Sequence, residues 1–400
     1  MVRTVDLENK EYEENVKYIS EHAYNYLSKT KIYGGEIIIN KIGCPGKTYL
    51  MPKLNKKVSL GMNLFLLRLK ENSKINEKLL WIFFNTEIGK KIINRKVNGT
   101  VPLTIDKDAI KSLYIPYFSE SFQNKIEKIT TEILDLETKE KSLYKDLEKE
   151  IENIFDLNLF DEYSKLNINI KNLSESFNKS NRLDSEYYQK KYDYLLTKLE
   201  KIEYQFLGGE EGIVNIKKSI EPGSEEYQNE GIPFIRISNF NKFGINTPDI
   251  FLDPLKFTKE DLFLKKDNIL LSKDGSIGIA YKIEEDLEMI TSSGIIHLTI
   301  KDKSKILPNY LTLLLNSKLV KYQAERDLGG TIIPHWKISE IEKLKIPILD
   351  IKTQERLSNQ VDEVFNLKRK VKILFDKAIQ AFEIAILSNE QSAIKYLEKD

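Results

Sequence analysis

The sequence predicts an α+β chain in which two mixed α/β domains are linked by two long helices that form an antiparallel coiled coil. Three observations carry the prediction: a long internal duplication, the same order of β-leaning and helical segments in both copies, and an apolar seam closing each copy. The duplication is read from residues that recur at a nearly fixed offset. Gly99-Thr100 returns as Gly330-Thr331, Ile115-Pro116 as Ile346-Pro347 and Gln123 as Gln354, each 231 positions on. Gly43 and Gly46 return as Gly275 and Gly278 at 232, and Arg3 as Arg236 at 233. A period this long marks a duplicated domain and not a solenoid repeat.

In chain order, Met1 to Tyr12 aligns with Phe234 to Ile245, so the first copy opens well inside the second copy's span. The second copy starts near Arg182. A helix is expected over Glu186 to Glu203, where Tyr187, Tyr188, Tyr192, Leu195, Leu196 and Leu199 fall at helical spacing behind Asp184 and Ser185 as N-caps. The first copy has no counterpart of that segment, which is either lost by truncation or brought by another chain. Next, Ile37 to Ile39 and Ile269 to Leu271 read as short strands, each running into a glycine-punctuated turn, Asn40 to Lys47 and Ser272 to Ile279. Alternating strands follow at Asn63 to Leu69 and Ile295 to Ile300. Helices are expected over Asn76 to Lys96 and Pro308 to Arg326, the second with proline well placed at its start. Loops VNGTVPL and LGGTIIPHW then lead to the Ile-Pro exits.

Each copy ends in a seam. Ile126, Ile129, Ile133, Leu136, Leu143, Leu147 and Ile154 alternate at three and four, interrupted by Glu140 and Glu150. Leu357, Val361, Val364, Val371, Phe375, Ala378, Phe382 and Ala385 do the same, interrupted by Lys368. Helices of about 35 residues reach roughly 50 Å, and a narrow apolar stripe wants a partner; the economical solution is that the two pack on each other, antiparallel. The expected organisation is a first domain at 1–117, a long helix at 118–156, a linker at 157–181, a second domain at 182–349, a second long helix at 350–390 and a tail at 391–400.

Composition narrows the function. No run of about 18 apolar residues exists to span a membrane, and Asp6, Glu8, Glu11, Glu13 and Glu14 stand where a signal peptide needs an apolar stretch. The lone Cys44 rules out an internal disulfide and a cysteine-rich zinc site, which suits a reducing cytoplasm. The net charge of +1 hides an asymmetry. Lys31 to Tyr117 carries 16 Lys and Arg against 6 Asp and Glu, whereas Phe118 to Glu162 carries 6 against 13. The basic block reads either as a polyanion-facing surface or as a solvated lysine-rich face.

Catalytic signatures are missing. There is no phosphate loop, no dinucleotide loop behind a strand and no metal-spaced cluster of His, Cys and carboxylates. His22, His297 and His335 do not recur between copies, so a duplicated catalytic site is excluded. What remains are binding candidates, each with a plain structural alternative. His335-Trp336 could meet a base, or the tryptophan could plug the core with the histidine at its rim. Arg3 and Arg236 could contact phosphate or guanine, or form structural ion pairs. Lys41, Lys47, Lys273 and Ser276 make the glycine turns attractive as phosphate-facing tips, where the alternative is simply a tight turn.

At this point the residues resemble a known family. GIPFIRISNF, KKDNILLSKDGSIG, LGGTIIPHWKISEIEKLKIPI and KTQERLSNQVDEVF resemble the successive blocks of a target recognition domain and its trailing helix in type I restriction-modification DNA specificity subunits. NRLDSEYYQKKYDYL resembles the opening of such a domain, and GGEIIINKIGCPG, VNGTVPLTIDKDAIKSLYIPYF and FQNKIEKI give the same blocks in the first copy, shortened at its N-terminus. The resemblance implies a non-catalytic, DNA-binding subunit serving DNA methylation and phage defence. Its two recognition domains each read one half of a bipartite sequence, and its coiled coil is a ruler and a dock for two methyltransferase subunits, through which restriction subunits join. The cofactor, S-adenosylmethionine, is expected on those partners and none on this chain. Because the two half-sites usually differ, specificity is expected where the copies differ; the candidate readers or phosphate contacts are Lys41, Lys47, Thr100 and Thr104 in the first copy and Lys273, Asp274, Ser276, Thr331 and His335 in the second, with the recurring Arg3 and Arg236 as further candidate DNA contacts. Self-association, or a complementing chain, is expected at the surface left by the shortened copy. Two other readings stand beside this one: a recognition module for a fused or split methyltransferase-nuclease, and a coiled-coil adaptor with no DNA affinity.

Overall fold

The computed structural model describes the 400 residues except 9, 11, 13–15, 55, 158–159, 166–167, 329–334 and 400. It divides into two compact units. One is continuous, Lys141–Asn366; the other is built from two stretches, Met1–Glu140 and Leu367–Asp400.

In the continuous unit the hydrophobic runs named above become an antiparallel four-stranded sheet. Ile269–Ser272 lies between Ala280–Lys282 and Ile295–Ile300, and Val214–Lys218 adds to the far side of Ile295–Ile300. A smaller sheet pairs Ile232–Ile235 antiparallel with Phe251–Leu252 and parallel with Ile290–Thr291. Tyr204–Phe206 pairs antiparallel with Lys345–Pro347. Leu271, Leu298, Leu311, Leu344 and Trp336 fall in one buried cluster, and each side chain of that size removed from water contributes about 1.5–3 kcal/mol.

The other unit repeats this with fewer strands. Ile37–Asn40 lies between Thr48–Leu50 and Leu64–Leu67. Val2 bridges Leu60 in parallel, as Ile235 pairs with Thr291 in the second copy. Its core joins Ile37, Leu79, Phe83, Ile105 and Phe122 to Ala378, Phe382 and Ala393 from the chain's last stretch.

The two long helices run Glu120–Ile154 and Ile351–Leu387. In the split unit, Phe118 and Phe122 meet Phe382 at ring distances of 5.0 and 5.8 Å, while Glu132, further along, bonds Lys370 at 2.7 Å. One helix therefore rises as the other falls. In the continuous unit Leu147, Ile151 and Phe155 share a core with Leu357, Val361 and Val364, and Glu150 pairs with Arg356 at 2.5 Å. The charges that interrupt the seams find opposite charges: Glu150 has Arg356, and Glu140 acts on Lys368. Polar positions of this kind set register and orientation at some cost in stability. Gln123 and Gln354 fix the helix starts in the same way, their amides donating to the carbonyls of Phe118 and Leu349 at 2.9 and 2.8 Å.

Three expected helices differ. Asn76 to Lys96 is two helices, Glu77–Asn85 and Glu87–Asn94, and Pro308 to Arg326 is Pro308–Leu315 and Lys318–Leu328. The breaks fall at equivalent hydroxyls. Thr86 Oγ1 donates to the Phe83 carbonyl at 2.7 Å and Ser317 Oγ to that of Leu314 at 2.6 Å, an alternative partner that competes with the helical ladder. The helix expected over Glu186 to Glu203 is confined to Lys190–Leu199 behind a 3₁₀ turn at Ser185–Tyr188, because Asp184 bonds the Arg182 guanidinium at 2.8 and 2.6 Å instead of capping.

Candidate nucleic-acid interface

In both copies a glycine turn leaves the central strand and is held by the loop that follows the helices. In the second copy Ser272 N–H donates to the Ile279 carbonyl at 2.9 Å and Gly278 N–H to that of Ser272 at 3.0 Å. Lys273 N–H donates to the Gly294 carbonyl at 2.9 Å, and Trp336 N–H to the Lys273 carbonyl at 2.8 Å. The first copy makes the same bonds at the offset read from the sequence. Asn40 N–H donates to Lys47 at 2.9 Å, Gly46 to Asn40 at 2.8 Å, Lys41 to Asn63 at 2.9 Å and Ile105 to Lys41 at 3.1 Å. The bridge Asp274↔His335 answers the bridge Ile42↔Thr104. Gly43, Gly46, Gly275 and Gly278 all have φ between +62° and +88°, a region that side chains with a Cβ avoid.

On this shared backbone the side chains differ. In the second copy Lys273 is buried with its Nζ 2.7 Å from Asp274 Oδ2, and the other carboxylate oxygen of Asp274 takes His335 Nδ1. His335 is 65% exposed while the adjacent Trp336 is fully buried, so the tryptophan plugs the core and the histidine stands at its rim. Ser276 is exposed at the tip of the turn, its carbonyl accepting from Ser272 Oγ. Thr331 lies outside the described residues. In the first copy Lys41 Nζ lies 5.8 Å from the centre of the Phe65 ring, and Lys47 is bonded to Glu8 and 5.8 Å from the Tyr49 ring. Thr104 exchanges backbone bonds with Asn98 at 2.8 Å, and Thr100 is exposed on the same loop.

The structure thus brings Lys273, Asp274, Ser276 and His335 together, and Lys41, Thr100 and Thr104 together, with Lys47 at the far end of its turn. Both arginines are held in ion pairs. Arg3 bonds Asp6 at 3.0 and 2.6 Å, and Arg236 bonds Asp249 at 2.9 and 2.8 Å. The guanidinium of Arg236 keeps the Asp249 carboxyl below its ordinary range. One pair of cations escaped the sequence reading. Lys301 Nζ donates to the carbonyls of Gly209 and Glu210 at 2.8 and 2.9 Å, and its counterpart Lys70 was legible only as another match at the 231 offset. No helix among the described residues is long and apolar enough to cross a membrane.

Residues 211–374 match the type I restriction modification DNA specificity domain. No curated protein matches the sequence. Similar solved structures include the type I restriction-modification system S subunit from M. genitalium, at 18% identity over 93% of this chain and 84% of that one with a TM-score of 0.32. Another is the HsdS subunit from Thermoanaerobacter tengcongensis, at 15% identity over 90% and 83% with a TM-score of 0.30. Residues 211–374, which lie in the second copy, are accordingly identified as a type I restriction modification DNA specificity domain.

Proposed function

We propose that the chain is the specificity subunit of a type I restriction-modification complex and reads a two-part DNA sequence, one part with each copy's glycine turn and facing loop. One observation carries the reading: the two copies share a backbone, bond for bond, yet at matched positions present different side chains on it, Ile42, Cys44 and Thr104 against Asp274, Ser276 and His335, with Lys41 and Lys273 common to both. A common frame with different side chains is what two different half-sites require, because base pairs are distinguished in the major groove by donor and acceptor pattern. With Nδ1 held by Asp274, His335 turns Nε2 outward to a base edge or phosphate, and the lysines neutralise phosphates, so binding falls steeply with salt. Arg3 and Arg236 act as supports for these frames, with their guanidinium groups available to phosphate at the exposed edge. Thr331 joins the second set as the counterpart of Thr100, four residues before His335 in the sequence.

The paired helices dock methyltransferase subunits carrying S-adenosylmethionine, restriction subunits join through these, and the complex works in the cytoplasm. The test is co-expression with a cognate methyltransferase subunit and mapping of methylated adenines. A two-part motif is expected, and exchanging the loop around His335 should alter one part of it only. Methylation unchanged by that exchange would remove the loop from the interface, and a complex that forms without any DNA affinity would favour the coiled-coil adaptor.

A further inference from the structure

The two copies differ most in what covers one pair of walls. In the second copy, Tyr204–Phe206 pairs with Lys345–Pro347, and Leu207 and Gly208 donate to the carbonyls of Leu344 and Glu342, both at 3.0 Å. The chain turns through Gly209, at φ +84°, and returns as Val214–Lys218 along Ile295–Ile300. Lys301 fastens the turn, its N–H donating to the Ile213 carbonyl at 2.9 Å and its Nζ to the carbonyls of Gly209 and Glu210. Under this cover Leu298 and Ile346 are 0% exposed and Leu344 1%, with Leu207 itself at 0%.

The first copy has both walls. Leu64–Leu67 corresponds to Ile295–Leu298, and Leu113 and Ile115 to Leu344 and Ile346, all at 231. Leu64–Leu67 pairs with Ile37–Asn40 on one side, and among the described residues no strand lies along its other side. All four of its residues, with Leu113 and Ile115, are only half-buried. Between the walls runs a groove of about 400 Å³ floored by Leu67, Leu80, Phe84, Ile110, Leu113 and Ile115, with Lys70 at its rim where Lys301 stands in the second copy. An open strand edge beside an apolar slot is the geometry that accepts an added strand, main-chain bonds giving affinity and the slot giving selectivity.

We propose that this groove receives a strand, glycine turn and strand from a segment outside these 400 residues, of the type that residues 204–218 supply in the second copy. The incoming segment lays one strand along Leu64–Leu67, sets an aliphatic side chain like that of Leu207 over Leu113 and Ile115, and rests its turn carbonyls on Lys70. The donor is not a second copy of this chain. A second copy could lend its own residues 204–218 only by opening the same groove in itself, so the exchange gains no net contact.

The probe is a labelled peptide of residues 202–218 added to the full chain, followed by fluorescence anisotropy and by hydrogen exchange. Saturable binding is expected, with exchange slowed at residues 64–70 and 113–115. Leu207→Asp in the peptide should weaken it at least tenfold while leaving the protein untouched. Lys70→Glu, on an exposed residue, should weaken it severalfold, and Leu113→Asp at least tenfold. The proposal is overturned by the lack of saturable binding, by binding indifferent to Leu207→Asp and Lys70→Glu, or by protection elsewhere on the chain. It is equally overturned if the chain alone dimerises with those amides already protected, since the occupant is then a second copy.

Discussion

Acidification should loosen the continuous unit through one buried imidazole. His297 lies in the central sheet between Leu270 and Lys217, is 4% exposed and bonds Thr291 Oγ1 through Nε2 at 2.7 Å. Burial first, and the neighbouring Lys217 second, push its pKa from 6.5 down to about 4. The folded unit thus keeps the ring neutral where the unfolded chain already takes up a proton. Stability is full above the unfolded value near 6.5, falls as the pH drops from there towards 4, and levels off below. The gap between 6.5 and about 4, at ~1.4 kcal/mol per pH unit, amounts to ~3 kcal/mol. The first copy supplies the control, since Leu66 pairs with Ile38 where His297 pairs with Leu270. His297→Leu therefore installs a side chain this frame accepts, at a pH-independent loss of ~1 kcal/mol for the abandoned Thr291 hydroxyl. Urea unfolding should be followed by Trp336 fluorescence in a Trp81→Phe background at pH 7, 5.5 and 4. Between pH 7 and 4 the parent should lose ~3 kcal/mol more than the leucine variant. A difference between the two that stays constant across that range would refute the reasoning.

Other expectations concern the split unit. Burial pushes Lys368 down to about 8 against the pull of Glu140; because the unfolded lysine titrates near 10.4, stability should rise with pH between those values by at most ~3 kcal/mol, and Lys368→Met should abolish the rise in thermal melts taken from pH 7 to 10.5. Phe382 is fully buried among Phe83, Phe118 and Phe122, so Phe382→Ala should cost about 3–5 kcal/mol, read by Trp81 fluorescence with Trp336 signalling no change. Gly46→Ala should be worse than Gly278→Ala. Both meet the left-handed penalty of about 1–2 kcal/mol, but only the new Cβ at Gly46 falls 2.3 Å from Ile93 Cγ2, while nothing lies within 4 Å at Gly278; equal losses in urea titrations would contradict this.

The duplication was legible because backbone geometry had to be kept at a few positions, and those are the positions that recur: the positive-φ glycines, the glutamines at the helix starts, the Ile-Pro exits. The seams were legible because their period is set by the helix itself, and even their interruptions carried information, since Glu150 and Lys368 find charges on the facing helix. The helix breaks at Thr86 and Ser317 were not. A hydroxyl folding back onto its own turn leaves the apolar period intact on both sides. Arg236 could not be separated from a phosphate ligand by sequence, because its partner Asp249 comes from beyond an intervening turn, and Lys47 finds Glu8 39 residues away. Such pairings are set by tertiary contact and have no local signature.

The split unit has a history written into its composition. Its core is completed by Ala378, Ala381, Phe382, Ala385 and Ala393, residues that the ribosome delivers after the continuous unit, while its sheet emerges before it. Domains fold as units when their residues become available during synthesis. The continuous unit, whole from Lys141 to Asn366, can therefore close while the earlier-made portion is still waiting for its final helix. The order of maturation runs opposite to the order of translation. A premature stop just after Asn366 would leave every residue of the younger unit in place and strand the older one without the five buried residues that complete its core.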